Sequence, residues 1–412
     1  MSFLIDAYRS KVSKEKDKRL SEEAGADVAY STGFLALDFL NGTMVHVKNN
    51  EQGKDYKYYS CGFADGSIVM IIGRSGSGKT TFAEQVAANI VRPFENGIIY
   101  EDNIEGGIIE SRRVELSGFD PEDIKNRYVV RNSGISNETV FQRIRMIYDL
   151  KIANREALEY DTGLEDIHGE RIFKLVPTVY ILDSLAMLSP DNILEDDELG
   201  TSMSQTASAK SNSVLFKGIV PYLKSANIIL LVINHIQEEV SINPMQRKKA
   251  QLSFLKQGES LPGGKKPVYL SNNVIRIDDA TKLKSDEAFK IDSGNITMVT
   301  LLKSRSNKVG KAIPLVFNPS IGYDPILSLF YFLKSEGAFK GAGAYLYLDG
   351  HDDKKFSQGT FKEKYLNDPE LREAFHQTVV PYLKKLVPEV DEHSRTIEQS
   401  LSGDIMKIAN GI

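Results

Sequence analysis

A glycine-rich loop between an apolar strand and a helical segment constrains the fold of this chain more than any other feature. The loop reads GRSGSGKTT (73–81) and fits the pattern G-x-x-x-x-G-K-[ST]. Before it lies SIVMII (67–72), an apolar run typical of a strand buried on both faces, and after it apolar residues recur at helical spacing. Strand, loop and helix in this order predict a phosphate-binding loop.

Each residue type in this loop has a chemical task. The glycines let successive backbone N–H groups converge on a β-phosphate at the start of a helix. Lys79 is placed to reach the β- and γ-phosphates, and the hydroxyl of Thr80 is placed to bind Mg²⁺. The loop therefore predicts a nucleoside triphosphate and Mg²⁺ as ligands.

Asp183 supplies the second half of the predicted site. It ends the apolar strand TVYIL (178–182), where a carboxylate can hold Mg²⁺ opposite Thr80. Taken alone, an Asp after an apolar run is also a common turn residue. Beside a phosphate-binding loop, the metal role is favoured.

Three further carboxylates, Glu101, Asp102 and Glu105, follow the apolar strand GIIY (97–100). An NTPase needs one of them to orient the attacking water. We expect this strand to lie beside the strand that precedes the loop, and we expect the other two carboxylates to be solvated. Spacing alone does not choose among the three.

Strands and helices alternate along the first two thirds of the chain, as in a parallel sheet covered by helices. After Gly264 the pattern becomes strand-rich, with NVIRI (273–277), NITMVTLLK (295–303) and KAIPLVF (311–317) as candidates for antiparallel strands that extend the sheet. The expected fold class is therefore α/β.

At 412 residues the chain is too long for one compact core. We expect three parts: an N-terminal helix and linker (1–30), a nucleotide-binding core (31–325) and a small α+β domain (326–412). The N-terminal helix has one apolar face that suits docking, either in oligomerisation or on the chain's own domain. The last predicted helix begins at Asp368-Pro369.

Composition excludes several classes of protein. The single cysteine, Cys61, rules out a disulfide framework and fits a reducing compartment, so we expect the protein in the cytoplasm. Residues 1–20 lack the apolar stretch of a secretory signal, and no apolar run approaches the roughly 18 residues of a membrane span. With a net charge of −5, any contact with nucleic acid must come from local basic patches.

One such basic patch follows the apolar strand IILLVINH (228–235). The segment NPMQRKKAQLSFLKQGESLPGGKK (243–266) holds six Lys or Arg residues, one interleaved Phe and a closing Pro-Gly-Gly. Positive charge tracks phosphates, an aromatic ring can stack on bases, and glycines let backbone N–H groups approach a strand. A solvated surface loop is the alternative interpretation.

At GRSGSGKTT, YILDSLAMLSP (180–190) and LLVINHIQ (230–237) the sequence resembles the RecA family of DNA strand-exchange recombinases, most closely the phage UvsX-type members. LLKSRSNKVG (301–310) leading to NPSIGYDP (318–325) extends the resemblance. It implies a RecA-like P-loop NTPase core, with a mostly parallel sheet flanked by helices and extended by antiparallel strands. ATP and Mg²⁺ are the implied cofactors.

The resemblance also implies catalytic roles. Glu105 matches the family's catalytic carboxylate, although YEDNIEG has one residue more than the family's pattern, which leaves the two neighbouring carboxylates open. Lys303 and Arg305 match basic residues that reach the neighbouring subunit's γ-phosphate. Asn234 and His235 match the position that senses the γ-phosphate, and a His that merely donates to a nearby carbonyl is the alternative.

The implied binding residues follow position by position. The nucleotide site comprises Gly73, Arg74, Ser75, Gly76, Ser77, Gly78, Lys79, Thr80, Thr81 and Asp183, with Thr80 and Asp183 on the metal. Two DNA-binding loops are expected at about 189–213 and 236–266. Their candidate DNA contacts are Lys210, Arg247, Lys248, Lys249, Phe254, Lys256, Gly263, Gly264 and Lys265.

The resemblance implies a DNA-dependent ATPase that forms a homo-oligomeric helical filament on single-stranded DNA and exchanges strands with double-stranded DNA. A phage origin would place it in the cytoplasm of a bacterial host, with a loading mediator and a single-strand-binding protein as possible partners. Two other functions stay open: a ring-forming RecA-fold helicase or motor, and a recombination mediator filament without strand exchange.

Overall fold

The computed structural model describes residues 28–106, 110–194, 202–238, 250–282, 294–318, 321–341 and 345–388. The predicted N-terminal helix lies outside these ranges.

Strands make up the centre of the described chain and several small hairpins around it. In chain order the strands are β1 Ala29–Tyr30, β2 Thr43–Asn49, β3 Lys54–Ser60, β4 Phe63–Ala64, β5 Ile68–Gly73, β6 Ile98–Asn103, β7 Tyr128–Arg131, β8 Glu159–Glu165, β9 Arg171–Leu175, β10 Thr178–Asp183, β11 Ile228–His235, β12 Gln237–Glu238, β13 Glu259–Ser260, β14 Asn273–Lys282, β15 Asn295–Lys303, β16 Ala312–Asn318, β17 Gly322–Asp324, β18 Phe339–Lys340, β19 Leu346–Leu348 and β20 His351–Phe356.

Helices cover the sheet and form the carboxyl-terminal part. They are α1 Leu35–Leu40, α2 Lys79–Val91, α3 Glu110–Ser117, α4 Pro121–Arg127, α5 Asn137–Ala153, α6 Arg155–Leu158, α7 Asp191–Leu194, α8 Ser202–Ser225, α9 Lys265–Leu270, α10 Pro325–Ser335, α11 Phe361–Asn367 and α12 Pro369–Lys384, with a 3₁₀ turn at Leu185–Met187. None of the helices in the described ranges is long and apolar enough to cross a bilayer.

The central sheet has nine strands in the order β17-β16-β15-β14-β5-β11-β10-β6-β7. The strands from β14 to β7 run parallel, and β15, β16 and β17 add antiparallel strands at one edge. The predicted α/β class, with a mostly parallel sheet flanked by helices, is confirmed. The antiparallel extension lies where the strand-rich sequence predicted it.

One predicted neighbour is wrong. The strand that ends at these carboxylates, β6, lies between β10 and β7 and does not pair with the P-loop strand β5. Two strands, β11 and β10, separate β6 from β5. In a parallel sheet the carboxyl ends of all these strands still meet at one edge, so the carboxylates remain near the P-loop.

The core consists of two apolar clusters on opposite faces of the sheet. All six residues of β5 are buried, and alternate residues along it belong to different clusters, because successive side chains of a strand point to opposite faces. The first cluster includes the P-loop helix α2, and the second includes α5 and α8. This two-sided burial explains why the central strands are continuous apolar runs.

The carboxyl-terminal part combines a three-stranded sheet, β18-β19-β20, with α11 and α12, as the α+β prediction requires. Helix α12 begins where the sequence indicates: Asp368 caps it by accepting hydrogen bonds from the backbone N–H groups of Glu370 and Leu371. Its apolar side chains join the first core cluster.

The Tyr-rich insert after α1 forms the hairpin β2–β3, in register from Thr43 opposite Ser60. Lys54 Nζ lies 2.7 Å from Glu165 Oε1 of a second hairpin, β8–β9, and the hydroxyl of Tyr56 donates to the same carboxylate. The two hairpins therefore support each other beside the core.

A predicted loop is largely helical. Of the expected loop 189–213, residues 202–213 belong to α8 and residues 191–194 form α7, while residues 195–201 lie outside the described ranges. The apolar residues Leu215, Phe216 and Ile219 are buried on the sheet. Packing of this second half of α8 anchors the helix. The Ser- and Ala-rich first half extends the helix from it, because adding residues to a formed helix is easier than starting one.

Candidate nucleotide site and the basic segment beside it

The P-loop needs glycine at several of its positions. Gly76 and Gly78 have φ values of +77° and +81°, a region that L side chains rarely adopt. A Cβ on Gly78 would lie 2.6 Å from the hydroxyl of Tyr323, and one on Gly73 would lie 2.5 Å from the carbonyl oxygen of Ile277. The predicted strand, loop and helix are confirmed as β5, residues 74–78 and α2.

Thr80 and Asp183 lie close together. The predicted metal site requires this, because both side chains would bind the same ion. The Thr80 hydroxyl donates to Asp183 Oδ2 at 2.7 Å, and Asp183 is buried. Burial raises the pKa of the Asp183 carboxyl to about 6, although the hydrogen bond from Thr80 works against this. The second oxygen, Oδ1, has no hydrogen-bond partner among the described residues.

These residues fit a hard divalent cation. A buried carboxylate oxygen without a protein partner, beside a hydroxyl, is the donor set that Mg²⁺ takes together with phosphate oxygens and water. The described ranges contain no group of three or more His, Cys, Asp or Glu that could hold a metal by protein ligands alone. Thr80 and Asp183 are thus the residues that would hold Mg²⁺ here.

Lys79 lies at the start of α2 with its ammonium turned toward the loop. Its Nζ donates to the carbonyl oxygen of Arg74 at 2.7 Å. The hydroxyl of Ser77 is buried and has no partner among the described residues. Both groups are therefore positioned to bind an anion inside the loop.

The three carboxylates at the end of β6 and just beyond it have different environments, and the expectation that two of them are solvated is wrong. Glu101 is fully buried and accepts hydrogen bonds from Arg113, Tyr128 and Asn103 at 2.7–3.0 Å. Such a carboxylate is enclosed by its partners and does not reach solvent. Its partners give it a structural role.

Asp102 is fully buried as well, on the opposite side of the strand. It pairs with Arg143 of α5 and accepts a hydrogen bond from the hydroxyl of Tyr180. Arg143 also lies over the rings of Tyr100 and Tyr180. Asp102 is therefore enclosed by its partners.

Glu105 lies beyond the end of β6 and remains partly exposed. Its Oε1 accepts a hydrogen bond from the Ser184 hydroxyl at 2.5 Å and lies 2.6 Å from His235 Nε2. Burial works against ionisation, but these two contacts hold the pKa of the Glu105 carboxyl below its usual value. Of the three carboxylates, Glu105 alone combines ionisation with access to solvent and to the P-loop side.

The polar pair at the end of β11 has two separate contacts. His235 meets Glu105, which is neither the phosphate contact nor the backbone carbonyl considered from sequence. Asn234 is fully buried and donates to the carbonyl oxygen of Pro262 at 2.9 Å. His235 thus contacts a carboxylate of the nucleotide site, and Asn234 contacts the basic segment.

The described part of the basic segment folds against the core. Leu252, Leu255 and Leu261 are buried, and Phe254 is half-buried in the second core cluster. This packing occupies part of the ring that was expected to stack on bases. Lys256 is exposed, as a phosphate contact requires.

The glycines of the closing turn have a packing reason besides any DNA contact. Gly263 and Gly264 have φ values of +85° and +87°, and Cβ atoms there would lie 2.9 Å from Leu185 and 3.2 Å from Ala209. The candidate DNA contacts Lys210 and Lys265 are exposed. Arg247, Lys248 and Lys249 lie outside the described residues.

Lys303 and Arg305 contact the carboxyl end of α9. Lys303 Nζ donates to the carbonyl oxygens of Val268, Tyr269 and Ser271 at 2.6–3.0 Å, and Arg305 donates to that of Leu270. Cations commonly bind the free carbonyls at a helix end. Burial, and then the charge of Arg305, lowers the pKa of Lys303 to about 8.

Sequence reasoning missed several residues of the site. Ser184, which holds Glu105, directly follows the predicted metal ligand, and its position could have suggested the contact. Arg113 binds Glu101 and lies 3.3 Å from Glu84, a buried carboxyl on α2. Burial, and then the charge of Glu101, raises the pKa of Glu84 to about 8. No sequence signal links these three distant charges.

Comparisons with known proteins add little to this geometry. No family model matches the chain, and no curated protein matches it. Among solved structures, the crystal structure of the RadB recombinase is similar over 64% of this chain and 92% of that chain, at 16% sequence identity and a TM-score of 0.37. Function is therefore inferred from the chain's own residues.

The contrast between Glu101 and Glu105 gives a stability prediction. Glu101→Gln should lower the urea midpoint, with a loss of about 3 kcal/mol, because it leaves Arg113 in a buried site with a weaker partner. Glu105→Gln should cost less than about 1 kcal/mol, because Glu105 is partly exposed. Unfolding in urea is monitored by circular dichroism. Equal losses of unfolding free energy in the two variants would contradict the structural role of Glu101.

Proposed function

We propose that this protein is an ATP-dependent DNA recombinase that forms a helical filament on single-stranded DNA and exchanges strands. The observation that carries the proposal is the position of Glu105. It contacts Ser184, next to the candidate metal ligand Asp183, and it contacts His235, at the end of the strand that leads into the basic segment. One carboxylate thus connects the nucleotide site with the candidate DNA-binding segment.

ATP hydrolysis is supported by the chemistry of the site. Glu105 is held in its ionised form at neutral pH, so it can orient a water molecule and accept its proton. Lys79 and the P-loop amides would bind the β- and γ-phosphates, and Thr80 and Asp183 would hold Mg²⁺. When bound, Mg²⁺ neutralises charge on the phosphate oxygens.

Coupling to DNA is supported by the contacts of His235. A γ-phosphate near Glu105 would compete for the imidazole N–H, and its loss on hydrolysis would return His235 to Glu105. Because the chain runs from His235 through residues 236–242 into the basic segment, this exchange would tie the segment to the state of the nucleotide.

Filament formation is proposed from the resemblance and from Lys303 and Arg305. In a filament these two residues would leave the end of α9 for the neighbouring subunit's γ-phosphate. Charge stabilisation of this kind is worth on the order of 10³ or more in rate. Their contacts in the single chain supply a resting position for both cations.

The proposed function is tested by electron microscopy of the full chain with single-stranded DNA and a slowly hydrolysed ATP analogue, together with a D-loop assay. We expect open helical filaments and joint molecules, both lost in Lys79→Ala because phosphate binding fails. Closed rings would indicate a helicase instead. Filaments without joint molecules would indicate a mediator, and either result would refute the recombinase assignment.

The basic segment gives a separate prediction on DNA affinity. Neutralising Lys248, Lys249 and Lys256 to Gln should weaken binding to single-stranded DNA and reduce the slope of log affinity against log salt by about 2, since each phosphate contact contributes about 0.7. Lys355→Gln, at an exposed site on β20, is the control. An unchanged slope in the triple variant would place the DNA site elsewhere.

Lys303 gives a prediction on pH. The pKa of its ammonium is lowered to about 8, so the charge is present below pH 8 and is lost as the pH rises through that value. This pKa belongs to the resting position at the end of α9, so above pH 8 the amine must take up a proton before it acts on the neighbouring γ-phosphate. DNA-stimulated hydrolysis should therefore fall above pH 8 in the parent and be absent in Lys303→Ala. In Lys303→Arg the stimulated rate should persist to higher pH, because a guanidinium stays protonated. Stimulation that survives in Lys303→Ala would exclude the trans role.

A further inference from the structure

A short ladder, which we call the neck, pairs the chain just before the basic segment with residues near the carboxyl end of that segment. It consists of β12 (237–238) and β13 (259–260), which pair antiparallel. The first of these strands continues almost directly from β11, whose last residue pairs with Gly73 of the P-loop. The backbone N–H of Ile236 also donates to the Gly73 carbonyl oxygen at 3.1 Å. The neck is thus held at the edge of the nucleotide site.

One strand of the neck has a buried anchor. Glu259 accepts two hydrogen bonds from the guanidinium of Arg276 at 2.7 and 2.8 Å, and both side chains are buried. Arg276 belongs to β14, the strand beside the P-loop strand. A bidentate pair in this environment fixes geometry strongly, so β13 is tied to the sheet.

The other strand of the neck has an exposed contact with the P-loop itself. The guanidinium of Arg74, the second residue of the loop, forms an ion pair with Glu238. The two side chains are 65% and 56% exposed, in contrast to the buried anchor on β13. Exposed pairs of this kind are weak and exchange partners readily.

The same Arg74 is also bound through its backbone. Its carbonyl oxygen accepts the hydrogen bond from Lys79 Nζ. A triphosphate in the loop would draw the Lys79 ammonium away from this carbonyl. It would also attract the Arg74 guanidinium and repel the Glu238 carboxylate, because the added charge is negative.

We propose that Arg74 is a positioning residue that links phosphate occupancy of the P-loop to the neck through Glu238. The inference rests on the proposed function, since the neck matters for DNA only if the basic segment binds it. A ligand shifts a conformational equilibrium only if it interacts differently with the two states. Here the two states are those with the Arg74–Glu238 pair formed and separated, and the phosphate charge favours the second. By reciprocity, DNA must then change nucleotide affinity by the same factor.

The test measures the affinity of the full chain for a fluorescent oligodeoxythymidylate with and without a slowly hydrolysed ATP analogue. The readout is the dissociation constant of the oligonucleotide without the analogue divided by that with the analogue. Glu238→Gln, which leaves the P-loop sequence intact, should reduce this ratio about two- to fivefold, the size expected from an exposed ion pair.

A matched control is the exposed pair between Arg155 and Glu159, whose atoms lie 2.7 Å apart at a distance from the site. Glu159→Gln should leave the ratio unchanged. The same ratio is measured for the ATP analogue, as its dissociation constant without the oligonucleotide divided by that with it. In Glu238→Gln this ratio should change by the same factor as the ratio for the oligonucleotide.

The outcomes separate the two levels of the proposal. If Glu238 merely stabilises the neck, DNA binding weakens equally with and without nucleotide, the ratio stays at the parent's value, and this inference alone is overturned. A parent that does not bind the oligonucleotide, or whose affinity ignores the nucleotide, would refute the proposed coupling of ATP to DNA itself.

Discussion

The parallel pairing between β5 and β11 is the interaction on which the rest of the site depends. Its register places His235 opposite Gly73, so the end of one strand lies at the start of the P-loop. A slip by one residue would turn every side chain of β11 to the other face of the sheet. His235 would then leave Glu105, and the buried amide of Asn234 would leave the Pro262 carbonyl. Helices on both faces fix this register by burying β11 on both sides.

The chemistry of the carboxylates follows from where the strand stops. Glu101 and Asp102 are adjacent residues of β6, so their side chains point to opposite faces. Each meets an arginine from the helices on its own face, Arg113 on one and Arg143 on the other. Pairing makes these two charges tolerable in the interior and removes them from contact with water. Glu105 lies past the strand and escapes this burial, which leaves it available at the nucleotide site.

The sequence predicts the local parts of this site better than the distant ones. The P-loop has a short motif whose strand and helix are adjacent in the chain, and the structure matches it. The order of strands in a parallel sheet depends on crossovers, so the position of β6 could not be read from its own residues. The partners of Glu101 and Asp102 lie 12 and 41 residues away, which is why their burial was missed. The first half of α8 was predicted as a loop because only tertiary packing of its second half makes it helical.

The contacts at the two ends of the basic segment differ in kind, and this difference bears on how it could move. The exit turn is held by buried amides: Asn212 donates to the Gly263 carbonyl oxygen at 3.2 Å, and Asn234 donates to that of Pro262. Breaking either bond would leave a buried polar group unpaired, at a cost of about 1–3 kcal/mol. At the entrance, the side-chain contact with the P-loop is the exposed pair of Arg74 and Glu238, which costs far less to separate. A charge that arrives in the P-loop therefore acts on the entrance first, while the exit keeps its place on the core.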